Sequence, residues 1–330
     1  MPCPEPVLKV RDLCVDFVTE EGVVRAVDHL SFDLMPGETL GLVGESGCGK
    51  TISSLALLGL VPQPPGRVTS AGIELDGRPL HDLSEKQMRR LRGRDISMIF
   101  QEPMTALNPV FSVASQMIDV LKRHQGMSRK TARQHAIAML DKVGIANAAS
   151  RINDYPHELS GGMRQRVMIA MALSCNPRVL IADEPTTALD VTTQAQVLEQ
   201  IQKLQHETGT AVIFITHDLG VIAEICSRAM VMYCGSVIEQ SSVEDLFNRP
   251  RHPYTWGLMK AIPTIRADNP EYLPTIPGSV PDLLHLPDGC RFAARCKFAK
   301  PLCSETRPSL SGGYNEHGYA CHFPLEWQTT

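Results

Sequence analysis

The sequence predicts an α/β protein with a mostly parallel sheet, a helical insertion and an irregular C-terminal region. Short apolar runs typical of strands alternate with helical patterns, which favours a parallel sheet covered on both faces. Between residues 103 and 176 helical patterns follow one another without strands. From Arg249 to Gly289 eight prolines occur in 41 residues, a density that prevents long regular elements. We therefore expect one domain over 1–250, with a helical subdomain at about 103–176, and a second region over 251–330.

The individual elements follow from hydrophobic patterning. Two β-rich runs, Val7–Val18 and Val23–Leu34, flank a Glu-Glu-Gly turn and predict a hairpin. Further strands are predicted at Thr39–Val43, Ile96–Phe100, Val179–Ala182, Ala211–Ile215 and Ala229–Tyr233. Helices are predicted at Lys50–Leu60, Val113–His124, Arg129–Val143, Gly162–Ser174 and Val191–Thr208.

The composition restricts the class of protein. Of 330 residues, 43% are hydrophobic and 21% are charged, which is typical of a folded chain. The net charge of −4 weighs against a protein held mainly by nucleic-acid phosphates. Neither a membrane-spanning apolar run nor a secretory signal pattern is present, so we expect a cytosolic chain. Its ten cysteines are then not expected to form a disulfide framework.

A glycine-rich loop follows the predicted strand Thr39–Val43. It fits the pattern G-x-x-x-x-G-K-[ST] and precedes a predicted helix, as phosphate binding by such a loop requires. Glycines let successive N–H groups curl around phosphate oxygens, and the helix adds the positive end of its dipole. Lys50 is predicted to reach the β- and γ-phosphates, and the Thr51 hydroxyl to ligate Mg²⁺. The predicted nucleotide contacts are Gly44, Glu45, Ser46, Gly47, Cys48, Gly49, Lys50 and Thr51.

Cys48 occupies a loop position that is often serine. A thiol at a helix N-terminus beside Lys50 is expected to have a lowered pKa and to react readily. The alternative is an inert small residue.

Two carboxylates end the apolar strand Val179–Ala182. The carboxyl ends of strands are where ligands bind in open α/β sheets. Asp183 is predicted to hold Mg²⁺, and Glu184 to act as the general base that polarises the attacking water.

Ser160, Gly161 and Gly162 open a helix that also contains Gln165. Serine is a good N-cap, and the glycines leave backbone N–H groups open to an anion. This segment resembles the signature sequence of the ATP-binding-cassette (ABC) ATPases, and the similarity extends over about residues 7–247. The resemblance implies a P-loop core with a RecA-like parallel sheet, an antiparallel β subdomain and a helical subdomain. It also implies that two ATP molecules are bound between two ATPase subunits arranged head to tail.

The resemblance assigns roles to further residues. Gln101 resembles the glutamine that contacts Mg²⁺ and the attacking water. His217 resembles the histidine that touches the γ-phosphate, and Ala188-Leu189-Asp190 the loop that crosses the dimer interface. Phe17 lies where the family stacks an aromatic ring on adenine, although core packing of a strand residue is an equal alternative.

The C-terminal region is similar to that of bacterial oligopeptide and dipeptide importer ATPases, a subgroup of the ABC family. The matching segments are Arg251–Thr255 and Leu273–Gly278. The resemblance implies a motor at the cytoplasmic face of the inner membrane, with two permease subunits and, indirectly, a solute-binding protein. Residues 103–125 are the candidate docking surface for the permeases. The alternatives are a soluble ABC ATPase acting on nucleic acid or ribosomes, and a nucleotide-binding regulator without turnover.

Four cysteines cluster near the end of the chain with spacing C-x5-C-x6-C-x17-C: Cys290, Cys296, Cys303 and Cys321. Structural zinc sites usually show paired C-x2–4-C arms, which this pattern lacks, and four thiolates also suit an iron–sulfur cluster. Importer ATPases with this cysteine order carry a [4Fe-4S] cluster, so the resemblance favours the cluster. Zinc and reduced structural thiols are the alternatives.

Overall fold

The structure, a computed structural model, describes residues 5–102, 106–187, 189–261, 275–313 and 316–327. Within these ranges the strands are β1 (Leu8–Thr19), β2 (Gly22–Leu34), β3 (Thr39–Val43), β4 (Gly66–Thr69), β5 (Gly72–Leu75), β6 (Arg78–Pro79), β7 (Ile96–Ile99), β8 (Val179–Asp183), β9 (Ala211–Thr216), β10 (Arg228–Tyr233), β11 (Ser236–Ser242) and β12 (Gly318–Tyr319). The helices are α1 (Lys50–Leu57), α2 (Glu85–Leu91), α3 (Val113–Gln125), α4 (Arg129–Lys142), α5 (Ala148–Arg151), α6 (Gly161–Leu173), α7 (Val191–Thr208), α8 (Leu219–Ile225), α9 (Val243–Asn248), α10 (Pro253–Lys260) and α11 (Pro301–Glu305).

The described residues form two compact units that interleave along the sequence. The first contains the described part of 1–8 together with Leu34–Glu38 and Asp76–Ile215. The second contains Lys9–Asp33, Thr39–Leu75 and the described part of Thr216–Thr330. No helix among the described residues is both long enough and apolar enough to cross a membrane.

The first unit combines parallel strands with the helical insertion. Strand β8 lies between β7 and β9 and is parallel to both, with Ala182 opposite Ile99 on one side and Phe214 on the other. All three strands are buried along their length, as their apolar sequences require. Helices α3, α4 and α6 pack against one another, which confirms the predicted run of helices over the described part of that segment.

The second unit contains the predicted hairpin and a mixed sheet. Strands β1 and β2 pair as expected, and β4 adds to β1 in antiparallel register, with Phe17 opposite Gly66. Strand β3 is parallel to β10, so Leu42 lies opposite Met230, and β11 then pairs antiparallel with β10. This arrangement places the glycine-rich loop at the carboxyl end of β3.

The described part of the C-terminal region is largely irregular, as its proline content predicts. Over 275–327 its described regular elements are the short 3₁₀ helix Ala293–Arg295, α11 and β12. Strand β12 pairs with β11 through Tyr319 opposite Glu239. The predicted site residue Ala188, and parts of the predicted segments 103–125 and 273–278, lie outside the described residues.

Candidate functional site

The glycine-rich loop has a backbone that only glycine permits at two of its positions. Gly44 has φ +156°, and a Cβ there would lie 2.3 Å from the carbonyl oxygen of Met232. Gly49, the N-cap of α1, has φ +103°, and its Cβ would lie 2.4 Å from the carbonyl oxygen of Ala26. By contrast, nothing lies within 4 Å of a Cβ built at Gly47. The loop is therefore tightly packed at both ends and open at its middle, as a phosphate cradle must be.

Lys50 places a positive charge inside this loop. Lys50 is 6% exposed, and its ammonium donates to the carbonyl oxygens of Gly44 at 2.8 Å and Glu45 at 3.1 Å. Ser46 and Thr51 are exposed beside it, with Thr51 in the first turn of α1. A cation, exposed hydroxyls and a helix start at one loop form a site suited to the phosphates of a nucleotide.

The predicted lowering of the Cys48 pKa is wrong. The thiol is buried, at 2% exposure, and burial raises its pKa even though Lys50 Nζ lies 3.7 Å from the sulfur. Removal of the thiol from water thus outweighs the nearby ammonium. Cys48 fits the alternative interpretation, a small packed residue of the loop.

The first unit brings Gln101 and Glu184 together. Gln101 Nε2 donates to Glu184 Oε2 at 3.0 Å, and Thr187 Oγ1 donates to the same oxygen at 2.8 Å. Glu184 adopts φ +46°, a left-handed conformation that a residue without a special constraint rarely takes. Its N–H donates to the carbonyl of Ile215 at 2.9 Å. The backbone is therefore held in an unusual conformation that presents the carboxylate to Gln101, as is common for catalytic groups.

Asp183 precedes this group at the end of β8. It is 1% exposed, and carboxylate oxygens are ligands that Mg²⁺ prefers, so the residue fits the predicted metal role. Thr187 was not predicted from the sequence. Its position three residues after Glu184, in the turn Pro-Thr-Thr, is the signal that points to it.

The signature segment begins α6 as expected. Ser160 is exposed and caps the helix by accepting from the Met163 N–H at 3.3 Å. Gly161 is exposed and Gly162 is half-buried in the first turn. Gln165 is buried, at 2% exposure, and its amide donates to the carbonyl of Pro185, the residue after Glu184. Gln165 therefore connects the signature helix to the turn that carries Glu184.

The remaining predicted residues occupy separate positions. Asp190 is exposed and caps α7 by accepting from the Thr193 N–H at 3.0 Å, a bond that lowers the pKa of its carboxyl. In the second unit His217 is exposed directly after β9. Phe17 is half-buried opposite Gly66, and its ring edge would lie 3.4 Å from a Cβ at that glycine. Both of its predicted roles stay open.

Four thiols meet in the C-terminal region. They line one small cavity, and none of them forms a disulfide: Cys290, Cys296, Cys303 and Cys321. Among the described residues, no three of their sulfur atoms all lie within 4.8 Å of one another. A tetrahedral zinc with Zn–S bonds of about 2.3 Å requires sulfurs about 3.8 Å apart.

The cavity itself favours neutral thiols. Burial raises the pKa of Cys290 and Cys296, and raises that of Cys321 to about 11. A cationic group in the cavity would reverse this preference, because it stabilises thiolates. The adjacent His322 ring bonds to the carbonyl of Thr306 at 2.8 Å and so has a structural partner.

Family models match both parts of the chain. Residues 27–187 match the ABC transporter model, and residues 238–303 match the oligopeptide/dipeptide transporter C-terminal region. Among solved structures, a dimeric ATP-binding cassette in a post-hydrolysis state with ADP and Pi is 26% identical. It superimposes with a TM-score of 0.64 over 72% of this chain and 98% of its own. The fold predicted from the motifs is thereby confirmed.

Curated relatives match almost the whole chain. A probable peptide ABC transporter ATP-binding protein of Sinorhizobium fredii is 51% identical over 97% of this chain and 96% of its own. The oligopeptide transport ATP-binding protein OppD of Bacillus subtilis is 49% identical over 92% and 85%. The dipeptide transport ATP-binding protein DppD of Escherichia coli is 47% identical over 97% of both chains. Loop, carboxylates, signature helix and these matches agree: the chain belongs to the ABC transporter family of ATPases, in the oligopeptide/dipeptide transporter group.

Proposed function

We propose that this chain is the ATP-hydrolysing motor of an importer for peptides or peptide-like solutes, at the cytoplasmic face of a bacterial inner membrane. The observation that carries the proposal is the Glu184 carboxylate, presented from a left-handed backbone and held by Gln101 and Thr187. A binding or regulatory protein without turnover has no need of such a group. The relatives' names supply the solute class.

Each residue then has a defined chemical task. The loop N–H groups and Lys50 bind the triphosphate, and Thr51, Gln101 and Asp183 hold the Mg²⁺ that neutralises its charge. Glu184 accepts the proton of the attacking water, whose position Gln101 helps to fix. His217 contacts the γ-phosphate, to which a ring N–H can donate a hydrogen bond.

The proposal includes a second ATPase subunit, either a copy of this chain or a paralogue. Ser160, Gly161, Gly162 and Gln165 of one subunit cover the nucleotide of the other, and Asp190 lies in the loop at the interface. ATP favours the closed dimer because it contacts both subunits only in that state.

Two permease subunits dock on the segment 103–125, and a solute-binding protein acts through them. Exposed apolar side chains support this surface: Val110 is 71% exposed and Phe111 is 50% exposed. For the alternative function, an ATPase acting on nucleic acid or ribosomes, the described residues offer no comparable feature.

The test compares Glu184→Gln with wild type. We expect kcat for ATP hydrolysis to fall by a factor of about 10²–10⁴, the usual contribution of a general base, while MgATP still binds. Glu199→Gln, which changes an exposed carboxylate of α7, is the matched control and should hydrolyse ATP at the wild-type rate. Wild type should also copurify with two membrane proteins from its native host. Turnover by Glu184→Gln close to that of the control would refute the assignment.

The four-cysteine cavity carries a second proposal: it holds a [4Fe-4S] cluster through Cys290, Cys296, Cys303 and Cys321. The convergence of the four thiols on one cavity supports it, with zinc as the alternative. The cluster would connect the segment that contains the first three cysteines to Cys321.

Anaerobic purification tests this second proposal. We expect visible absorption, with iron and acid-labile sulfide in equal amounts, and loss of all three in Cys321→Ser. Cys175→Ser, a buried cysteine outside the cavity, should keep them. Stoichiometric zinc without iron would identify the alternative.

A further inference from the structure

The described residues between Cys290 and Cys321 are called here the four-cysteine segment. Two of its arginines extend toward the phosphate loop within the second unit. Each is adjacent in sequence to a cavity cysteine: Arg291 follows Cys290, and Arg295 precedes Cys296. Both side chains are largely removed from solvent, at 10% exposure for Arg291 and 5% for Arg295. Charged groups that are buried in this way require partners, and the partners identify their role.

Arg295 forms a two-pronged ion pair with Glu45, the second residue of the phosphate loop. Nη1 lies 2.7 Å from Oε2, and Nη2 lies 2.9 Å from Oε1. The remaining donors are also used, since Nε bonds to the carbonyl of Pro277 at 3.1 Å and Nη1 to the hydroxyl of Tyr233 at 3.3 Å. This parallel geometry is specific to a guanidinium and a carboxylate, and lysine cannot reproduce it.

Glu45 is in turn bonded through its backbone as well as its side chain. Its N–H donates to the Tyr254 hydroxyl at 3.1 Å, and its carbonyl accepts from Lys50 Nζ at 3.1 Å. Tyr254 is fully buried and packs edge-on against Phe292 of the four-cysteine segment, with ring centroids 5.3 Å apart. The position of Glu45 therefore sets both the course of the loop and the location of the ammonium that binds phosphate.

Arg291 provides a second connection. Its Nη2 pairs with Asp28 at 2.5 Å, and its Nη1 donates to the carbonyl of Cys234. Gly235, which follows Cys234 in the sequence, donates its N–H to the carbonyl of Cys48 in the loop at 3.0 Å. The segment therefore contacts the loop directly through Arg295 and indirectly through Arg291, by way of Cys234 and Gly235.

We propose that Arg295 is a positioning residue for the phosphate loop, through which the order of the four-cysteine segment and nucleotide binding stabilise each other. The inference rests on the proposed function only in that the loop binds ATP. Because such coupling is reciprocal, nucleotide bound at the loop must protect the segment, and disruption of the segment must weaken nucleotide binding by the same factor.

The first experiment measures MgATP affinity and turnover for Arg295→Met and Arg295→Lys in the full-length protein as purified. We expect Arg295→Met to raise Kd and KM for MgATP about tenfold with kcat within a factor of about three, because Gln101 and Glu184 are not among its contacts. Arg295→Lys should recover only part of the affinity, because an ammonium group cannot form the two parallel hydrogen bonds that the guanidinium donates to Glu45. Arg249→Met is the control, because Arg249 forms an ion pair with Asp245 at the end of α9 and not with the loop or with Asp28.

A double-mutant cycle separates positioning from general destabilisation. Glu45→Gln combined with Arg295→Met should bind MgATP no more weakly than the worse single variant, because both remove the same contact. MgADP should slow backbone amide hydrogen exchange over residues 290–303 in wild type, and this protection should be lost in Arg295→Met. Melting temperatures show whether each variant is folded.

The outcomes distinguish this inference from the proposed function. If wild type binds no MgATP, the proposed function fails. If wild type binds MgATP and a folded Arg295→Met binds it with the same Kd, or if the two substitutions are additive, the positioning role is refuted while the ATPase assignment stands.

Discussion

His252 is a fully buried histidine whose neutral ring caps a helix. Its Nδ1 accepts from the Tyr254 N–H at 3.0 Å at the start of α10. Burial lowers the pKa of His252 to about 4, although Glu239 lies nearby and acts in the opposite direction. Protonation would both place a charge in the interior and put a hydrogen on the capping nitrogen, so the folded state requires the neutral ring.

A pH dependence of stability follows. Between the unfolded pKa near 6.5 and the folded value of about 4, the unfolded chain binds a proton that the folded chain does not, so stability falls as the pH falls. From pH 7 to pH 5 this one residue should remove up to about 2 kcal/mol of the free energy of unfolding. His252→Asn keeps a capping acceptor without the titration, so its stability should fall less over this interval.

Urea unfolding at pH 7, 6 and 5 measures the difference in slope between His252→Asn and wild type. His285→Asn, which replaces a histidine whose side chain is 77% exposed, is the control and should follow wild type. Parallel curves for all three proteins would show that His252 is not the group responsible.

At the residue scale, local motifs predict part of the site. The phosphate loop, the two carboxylates and Gln101 are recognisable because their chemistry demands particular residue types at a fixed spacing. Arg295 is not recognisable, since its partner Glu45 lies 250 positions away and no local pattern connects them. The pKa of Cys48 departs from the prediction for a related reason, because the sequence shows the nearby lysine but not the burial that outweighs its effect.

At the scale of elements, helices with strong start signals were predicted well. A polar residue caps each of α3, α4, α6 and α7 by accepting from the N–H three residues later, with donors Ser115, Thr131, Met163 and Thr193. Such caps combine with hydrophobic periodicity to fix where a helix begins. The predicted and observed starts of these helices accordingly agree within one residue.

Several short elements are not predicted from the sequence. Strands β4 and β5 have only four residues each, and five of the seven residues of β11 (sequence SVIEQSS) are polar. Strand β4 pairs with the distant β1, where Phe17 lies opposite Gly66, and β11 is held between its neighbour β10 and the distant β12. Tertiary pairing rather than intrinsic preference stabilises them, so a local pattern carries little information about them. Helix α2 was recoverable, because Ser84 and Gln87 form a capping box.

At the scale of the whole molecule, composition predicted a separate region over 251–330. That division stays a prediction, but the described residues 275–313 and 316–327 belong to the same compact unit as the phosphate loop. Strand β12 pairs with β11, and Arg291 pairs with Asp28 from the hairpin. Proline density reports the loss of regular elements, whereas membership of a compact unit depends on contacts between distant residues.

The proposed head-to-tail dimer makes a prediction about surface serines. In the Glu184→Gln background, where ATP is bound but not hydrolysed, MgATP should convert the chain to a dimer with itself or with its copurified ATPase partner. Adding Ser160→Arg should abolish this dimer, because a bulky cation replaces the small helix start that covers the partner's nucleotide. Monomeric ATP binding should persist, since the phosphate loop is unchanged.

Ser128 offers a matched control for that dimer. It is also an exposed N-cap and accepts from the Thr131 N–H at 3.2 Å, so Ser128→Arg and Ser160→Arg should each lose about 1 kcal/mol of helix capping. Sedimentation velocity with and without MgATP then compares two proteins of equal charge and similar stability. Dimers of equal strength in both would show that the start of α6 does not face the nucleotide of a second subunit, whereas loss of the dimer in Ser160→Arg alone would place it there.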